Sequence, residues 1–593
     1  MVVSSRVTAP IRVVAGPWSA ILEVDGSLHG LCYQGVEILR GLAVVVRTNT
    51  WLTAVPETKV SLIAGDAGFQ VAITSTNKAD GLHFSWKGEI TCDALGSFRY
   101  SIKGASHGIS STNRIGLVAL HSLNWAGQSC DITHSDGSVE TTTYPELISP
   151  HQPMKDIQLL SQDLDSNKRL TISFAGDIFE MEDQRNWTDA SFKTYSRPLE
   201  WPFPYELREA EVVEQSILLS VLASPSLPGP TTPRNSHSVR VPARRVLDLA
   251  ESGETFPMPP IGLGTDPTSP NQPSKELLDE LRPSHLRVDV VAAGSELRGA
   301  EVLREVLSLS VPVELALHVG NDPRRALEQL SAVEFGDLLS ALLVYDSTAP
   351  ATTRESMNAI EQHAKQLFGL GAPVFVGTDD NFTELNRQRI TPRDLGAKGL
   401  GFSLSPQIHD SRNKAIIETA ESLPSIIATA RSFSMGSAIA VSPITFKARR
   451  NIHVPGRQID RLGRDDDSVD DRWGDMFSAL WLVTTLVPLI QGRVDRITVA
   501  ECLGPRGIIS NEDATSGERS PLAKTWRWLS QKRSTITIGS LYSDLLVLAD
   551  FLEKDALVVN SSASEANISL QSWRGSAPLL VPPYTIIRLD GNE

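Results

Sequence analysis

Cysteine is scarce in this chain, with four residues (Cys32, Cys92, Cys130 and Cys502) among 593 and no CxxC pair. That spacing excludes a zinc ribbon and a disulfide-stapled scaffold, and fits a reducing, cytoplasmic setting. Uninterrupted apolar stretches of about twenty residues are missing, and the first residues carry no basic leader followed by an apolar run, so neither a membrane span nor an export signal is expected. Excess positive charge is missing too. With 55 basic against 70 acidic residues the net charge is -15, which argues against a general nucleic-acid binder. HExxH, Walker and GxSxG signatures are absent, so activated water is favoured over a serine nucleophile.

What the chain has is two rhythms. From Ile11 to about Leu222, short β-rich runs alternate with turn residues, as in Ala20–Val24, Leu42–Arg47, Val71–Thr74 and Phe98–Ile102. This predicts a large antiparallel β-sandwich domain over 1–223. Prolines 225, 228, 230, 233, 257, 259 and 260 mark a connection over 224–260. Beyond it, eight apolar runs alternate with helical patterns: 262–265, 286–290, 313–318, 341–345, 374–377, 399–403, 438–442 and 496–500. Eight strands with helical returns over about 250 residues predict a (β/α)8 TIM-type barrel over 261–510. An open doubly wound sheet is the alternative, but no GxGxxG follows the first strand. Strands within 511–593 predict a small C-terminal β-domain.

Chemistry in such a barrel belongs at the carboxyl ends of the strands. Those positions offer Asp266, Arg287, Asp289 and His318 early, then Thr378–Arg387, Ser405–Asp410, Ser442–Asn451 and Glu501. Glu384 and Glu501 form the pair able to divide acid and base work, set against a structural role for Glu384 beside Arg387. Lys447, Arg449 and Arg450 offer charge for a developing oxyanion, the alternative being a surface loop. His409 is a base, a substrate contact or a structural residue. The acidic run Asp465–Asp467 reads as a solvated loop, and no metal is expected. One further window is dense in charge and aromatic rings: Phe179–Tyr195, FEMEDQRNWTDASFKTY, holding Glu182, Arg185, Asn186 and Trp187. It reads either as a pocket for a small, oxygen-rich substrate or as a structural arginine and tryptophan latch.

That window, with Phe382–Arg387 (FTELNR), Ser405–Asp410 (SPQIHD) and Val441–Asn451 (VSPITFKARRN), resembles the D-apionate lactonase family of D-apiose catabolism. Ala448–Asn451 and the stretch Ala500–Gly507 depart from the family pattern, the latter keeping Glu501 and Arg506–Gly507. The resemblance implies hydrolysis of a branched sugar lactone, D-apionolactone, to its open acid, without a cofactor. It implies Glu384 and Glu501 as acid and base, and Lys447, Arg449 or Arg185 at the oxyanion. Asn381, Asn386, His409 and Asp410 then read hydroxyls, with Trp187 as an apolar wall and Glu182 and Asn186 as further substrate contacts. A glycoside hydrolase using two strand-end glutamates is the runner-up, and a carbohydrate-binding scaffold without catalysis is a third reading.

Overall fold

A computed structural model describes residues 3–66, 68–93, 96–223, 245–248, 254–269, 272–450, 460–510, 513, 517–532, 535–542, 545–550, 553–572 and 575–589. The predicted architecture is what it shows. The chain divides into two compact units, one of residues 1–184, 191–241 and 453–457, the other of 185–190, 242–452 and 458–593.

The first unit contains two antiparallel sheets. Strict alternation drives them: along Leu82–Asp93 nearly every second side chain is buried, which suits a strand with one dry face. Trp18, Leu42, Ile73, Phe84, Phe98, Leu117 and Phe192, drawn from both sheets, share one apolar core. Register is fixed where residues leave no room for error. A Cβ at Gly88, for instance, would come 2.8 Å from the Trp86 ring.

In the second unit eight parallel strands close into a barrel: β1 Ile261–Gly264, β2 Leu286–Ala293, β3 Val313–Val319, β4 Leu339–Asp346, β5 Val374–Gly377, β6 Gly399–Leu404, β7 Ala438–Ile444 and β8 Arg496–Leu503. Each pairs with the next, and β8 pairs back with β1, which rules out the open sheet. Both faces of these strands are covered, so they read as continuous apolar runs. The helical pattern predicted over Lys414–Arg431 is interrupted: Asn413–Glu418 is followed by a 3-10 turn and a new helix, Leu423–Ser434, with Pro424 in its first turn, where its missing N–H costs nothing. Helix Met476–Gln491 is apolar nearly all round and accordingly buried, touching Leu423–Ser434 and Pro521–Gln531.

Five strands and a further three make up the remaining sheets of this unit. Two of their members come from the segment read as a connection: Arg245–Asp248 pairs with Ala566–Ser572, and Glu254–Pro257 with Thr535–Tyr542. Backbone pairing, which composition does not report, recruits them. Of the rest of that segment, 224–244 and 249–253 lie outside the described residues, as does Asn451. All four cysteines are free. Among the described residues no helix is long and apolar enough to cross a membrane.

Candidate active site

Residues two apart on a barrel strand share a face, so Arg287 and Asp289 on β2 both point inward. Arg287 Nη2 donates to Asp289 Oδ1 at 2.6 Å and to Asp379 Oδ1 at 2.5 Å, the latter just beyond β5. Arg449 Nη2 also donates to Asp379 Oδ1, at 2.7 Å, and Arg450 donates to its other oxygen. Arg461 Nη1 holds both oxygens of Asp380 at 2.7 and 2.8 Å. Burial opposes charge on Asp289 and Asp379, but the guanidinium groups outweigh it and keep both carboxyls well below the usual carboxylate range. His318 Nε2 on β3 lies 3.1 Å from Asp289 Oδ1, and burial holds its ring below the ordinary histidine value.

Asp289, His318 and Asp379 offer ligand atoms within 4.8 Å of one another. The donor set does not fit a divalent cation, because Arg287, Arg449 and Arg450 already surround the two carboxylates with positive charge.

Glu501, on β8, is held differently. Arg464 Nε donates to Oε1 at 3.0 Å and Arg506 Nε to Oε2 at 3.1 Å, while Arg506 Nη2 reaches Asp266 beyond β1 at 2.8 Å. The residue before it, Ala500, has φ 48°, a conformation L-residues avoid. Its carbonyl would lie 2.7 Å from a Cβ at Gly264, so glycine on the neighbouring strand makes room for the irregularity that sets Glu501. Glu501 lines a cavity with Lys447, Arg449, Trp473 and Arg506. A second cavity is lined by Asp379, Asp380, Asn381, Ser403, Ser405, Thr445, Arg449 and Arg450. Thr445 and Arg449 belong to both.

Glu384 sits in the first turn of helix Phe382–Gln388, which follows β5. It is buried, and its Oε2 has no hydrogen-bond partner. Burial, reinforced by the Asp380 charge, pushes its carboxyl up to about 8. Glu384 therefore keeps its proton at neutral pH, whereas Glu501 is bound to two guanidinium groups.

The window Phe179–Tyr195 splits between the two units. Glu182 belongs to the sandwich unit, its Oε2 2.7 Å from Lys193 Nζ on the adjacent strand. Residues 185–190 belong to the barrel unit. Arg185 Nη1 donates to Ser425 Oγ at 3.1 Å, Asn386 Nδ2 to Asn186 Oδ1 at 2.8 Å, and Ser422 Oγ to the Thr188 carbonyl at 2.8 Å. His409 Nδ1 lies 2.6 Å from Asp189 Oδ2 and meets the Trp187 ring edge-on, with the Arg387 guanidinium over the same ring. Asp410 accepts from Arg412 Nε at 2.9 Å.

Of the residues singled out from sequence, the structure thus brings Glu501, Lys447 and Arg449 to one cavity and Asn381 with Arg449 to the adjoining one. Arg185 meets Ser425, Asn186 meets Asn386 and Trp187 meets His409; none of these residues, nor Glu384, lines either cavity. Arg461, Arg464 and Arg506 were missed as site residues. Their signal was a run of arginines, Arg461-Leu-Gly-Arg464, directly before the acidic stretch, and Arg506 five residues past Glu501.

A closed parallel barrel with a cavity at its strand ends, walled by carboxylates and guanidinium groups, defines a TIM-barrel protein with a polar cavity where such barrels place their chemistry. The N-terminal domain of D-apionate lactonase matches residues 2–224 and the TIM barrel domain of D-apionate lactonase matches residues 261–534; the chain belongs to the D-apionate lactonase family. A relative from Brucella anthropi named D-apionate lactonase is 26% identical over 624 aligned positions, covering 98% of this chain and 97% of the relative. Among solved structures, an endoxylanase from Clostridium papyrosolvens is 9% identical, covering 59% of this chain and 100% of that one, at a TM-score of 0.36. A galactose 1-epimerase from Lactobacillus acidophilus is 8% identical, covering 38% and 99%, at a TM-score of 0.27.

Proposed function

We propose that this protein hydrolyses D-apionolactone, a branched sugar lactone, to D-apionate in D-apiose catabolism, in the cytoplasm, using carboxylate-activated water. Family membership supports the reaction class. The observation that carries the reading to a site is Glu501 in a cavity shared with Lys447, Arg449 and Arg506.

Lactone hydrolysis needs a base for water, donors for the tetrahedral oxyanion and an acid for the departing ring oxygen. Glu501 is assigned as the base: it takes a proton from water as the water oxygen bonds to the lactone carbonyl carbon. Arg464 and Arg506 hold that carboxylate in place, one on each oxygen. Arg449 and Lys447, which line the same cavity, face the oxyanion with positive charge. Collapse of the intermediate breaks the bond between carbonyl carbon and ring oxygen. Glu384, protonated at neutral pH, is assigned as the acid that supplies the leaving oxygen with its proton. The new carboxylic acid ionises, so each turnover releases one proton.

Asn381 is assigned to hydroxyl recognition. Arg185, Asn186, Trp187, Asn386, His409 and Asp410 are assigned to holding the helices and loops behind β5 and β6 in place around the ligand, and Glu182 to ordering the strand that leads into residues 185–190. The test is proton release on adding the protein to D-apionolactone in weak buffer with a pH indicator, beside other aldonolactones and nitrophenyl glycosides. Acidification with apionolactone is expected; glycoside cleavage without lactone hydrolysis would overturn the reading.

A further inference from the structure

The second cavity carries donors without a hydrogen bond among the described residues. Arg449 Nη1, Arg450 Nε and Ser405 Oγ are all buried and have none, Arg449 Nη1 keeping only an ion pair with Asp289 at 3.8 Å, and all three residues line this one cavity. The residues are 7%, 8% and 5% exposed, so bulk water does not satisfy them. A buried donor without a partner is costly, which marks it as reserved for something that arrives.

The sign of that ligand follows from the charges around it. Asp379 and Asp380 also line the cavity, but Asp379 is matched by Arg287, Arg449 and Arg450, and Asp380 by Arg461. Asp289 joins them beside Arg287, and the Arg449 and Arg450 nitrogens that lack a hydrogen bond favour a negatively charged group. Two guanidinium edges and a hydroxyl are a carboxylate's natural partners. Arg449 and Thr445 are shared with the cavity that holds Glu501, so the two spaces adjoin at the guanidinium assigned to the oxyanion.

We propose that the lobe bounded by Ser405, Arg449 and Arg450 is a carboxylate subsite, which takes the carboxylate of a sugar acid once the ring has opened. The inference rests on the lactonase reading for the origin of that acid, though not for the binding itself. Moving the newly formed carboxylate away from Glu501 separates two like charges and clears the base for the next water. Because Arg449 serves both lobes, the acid competes with the lactone, and the enzyme is inhibited by its own product.

The experiment is calorimetric titration of the full-length protein with D-apionate and, separately, with the corresponding uncharged alditol. Binding of the acid without binding of the alditol is expected. Ser405→Ala removes a hydroxyl that has no partner in the free protein, so its melting temperature should match the parent, while acid binding weakens about tenfold through loss of one charge-assisted hydrogen bond. If that variant melts early, Ser405→Cys, which keeps the volume, is read in its place. Equal affinity for acid and alditol, no acid binding, or unchanged affinity in the serine variant would overturn the subsite. Acid binding in a protein that leaves D-apionolactone intact would sink the lactonase reading and leave the subsite standing.

Discussion

The two ends of the barrel are both crowded with buried charge, yet they are satisfied to different degrees. Toward the amino ends of the strands, Glu314 accepts from Ser442, from Thr498 at 2.7 Å and from Arg496 Nε at 2.6 Å, with His285 3.4 Å away. Both its oxygens are held, and Arg496 reaches on to Ser340. Toward the carboxyl ends, Glu384 Oε2, Ser405 Oγ, Arg449 Nη1 and Arg450 Nε have no hydrogen-bond partner among the described residues. Similar residue types thus do two jobs. Saturated, as at Glu314, they lock strands together; left open around a cavity, as at Ser405, Arg449 and Arg450, they can receive a ligand.

Several changes would break or sharpen that contrast. The largest effect is expected at the saturated end: Glu314→Leu leaves Arg496 buried without its countercharge and should destabilise the fold by about 3–5 kcal/mol, read by denaturant titration. Next, Glu501→Gln at the open end should fold normally but lower lactone turnover roughly a hundred- to ten-thousand-fold, the usual range for a general base. An equal loss of stability in the two variants would erase the distinction.

Glu384→Gln carries a pH signature. The folded protein retains a proton up to about 8 that the unfolded chain loses near its ordinary value of 4.5. More protons are bound in the folded state across that window, so wild-type stability falls as pH rises from about 4.5 to about 8, by up to a few kcal/mol. The glutamine variant should lack that slope and melt higher than wild type at pH 8. A parallel pH dependence in the two proteins would contradict the buried, protonated state. The smallest effect is expected at Asn186→Ala, which removes the neutral hydrogen bond to Asn386 among its contacts and should cost about 1–2 kcal/mol with little change in turnover.

Legibility in the sequence followed the same division. The barrel was readable because every strand is an apolar run between helical patterns, and Glu501 and Arg449 were found because strand ends are where such barrels place chemistry. Pairings such as Arg506 with Asp266, or Arg185 with Ser425, join residues 240 positions apart, and no local pattern encodes them. Arg461 and Arg464 reach the mouth only through the path of their loop. The charged window Phe179–Tyr195 was visible as a density of chemistry, but its division between units depends on backbone geometry: Glu182 stays with Lys193 in a sheet, while Asn186 turns to Asn386. Glu384 shows the limit most plainly. It was read as half of an acid–base pair or as a partner of Arg387, and the burial and the Asp380 charge that push its carboxyl up to about 8 are matters of packing that no local pattern encodes.

The central claim is that Glu501 at the open end does the chemistry, and it is tested most directly by indicator-monitored proton release from D-apionolactone with wild-type protein and Glu501→Gln side by side. Steady acidification by the wild type is expected, with a rate for the variant lower by roughly a hundred- to ten-thousand-fold. Wild-type silence, or a variant as fast as the wild type, would contradict it.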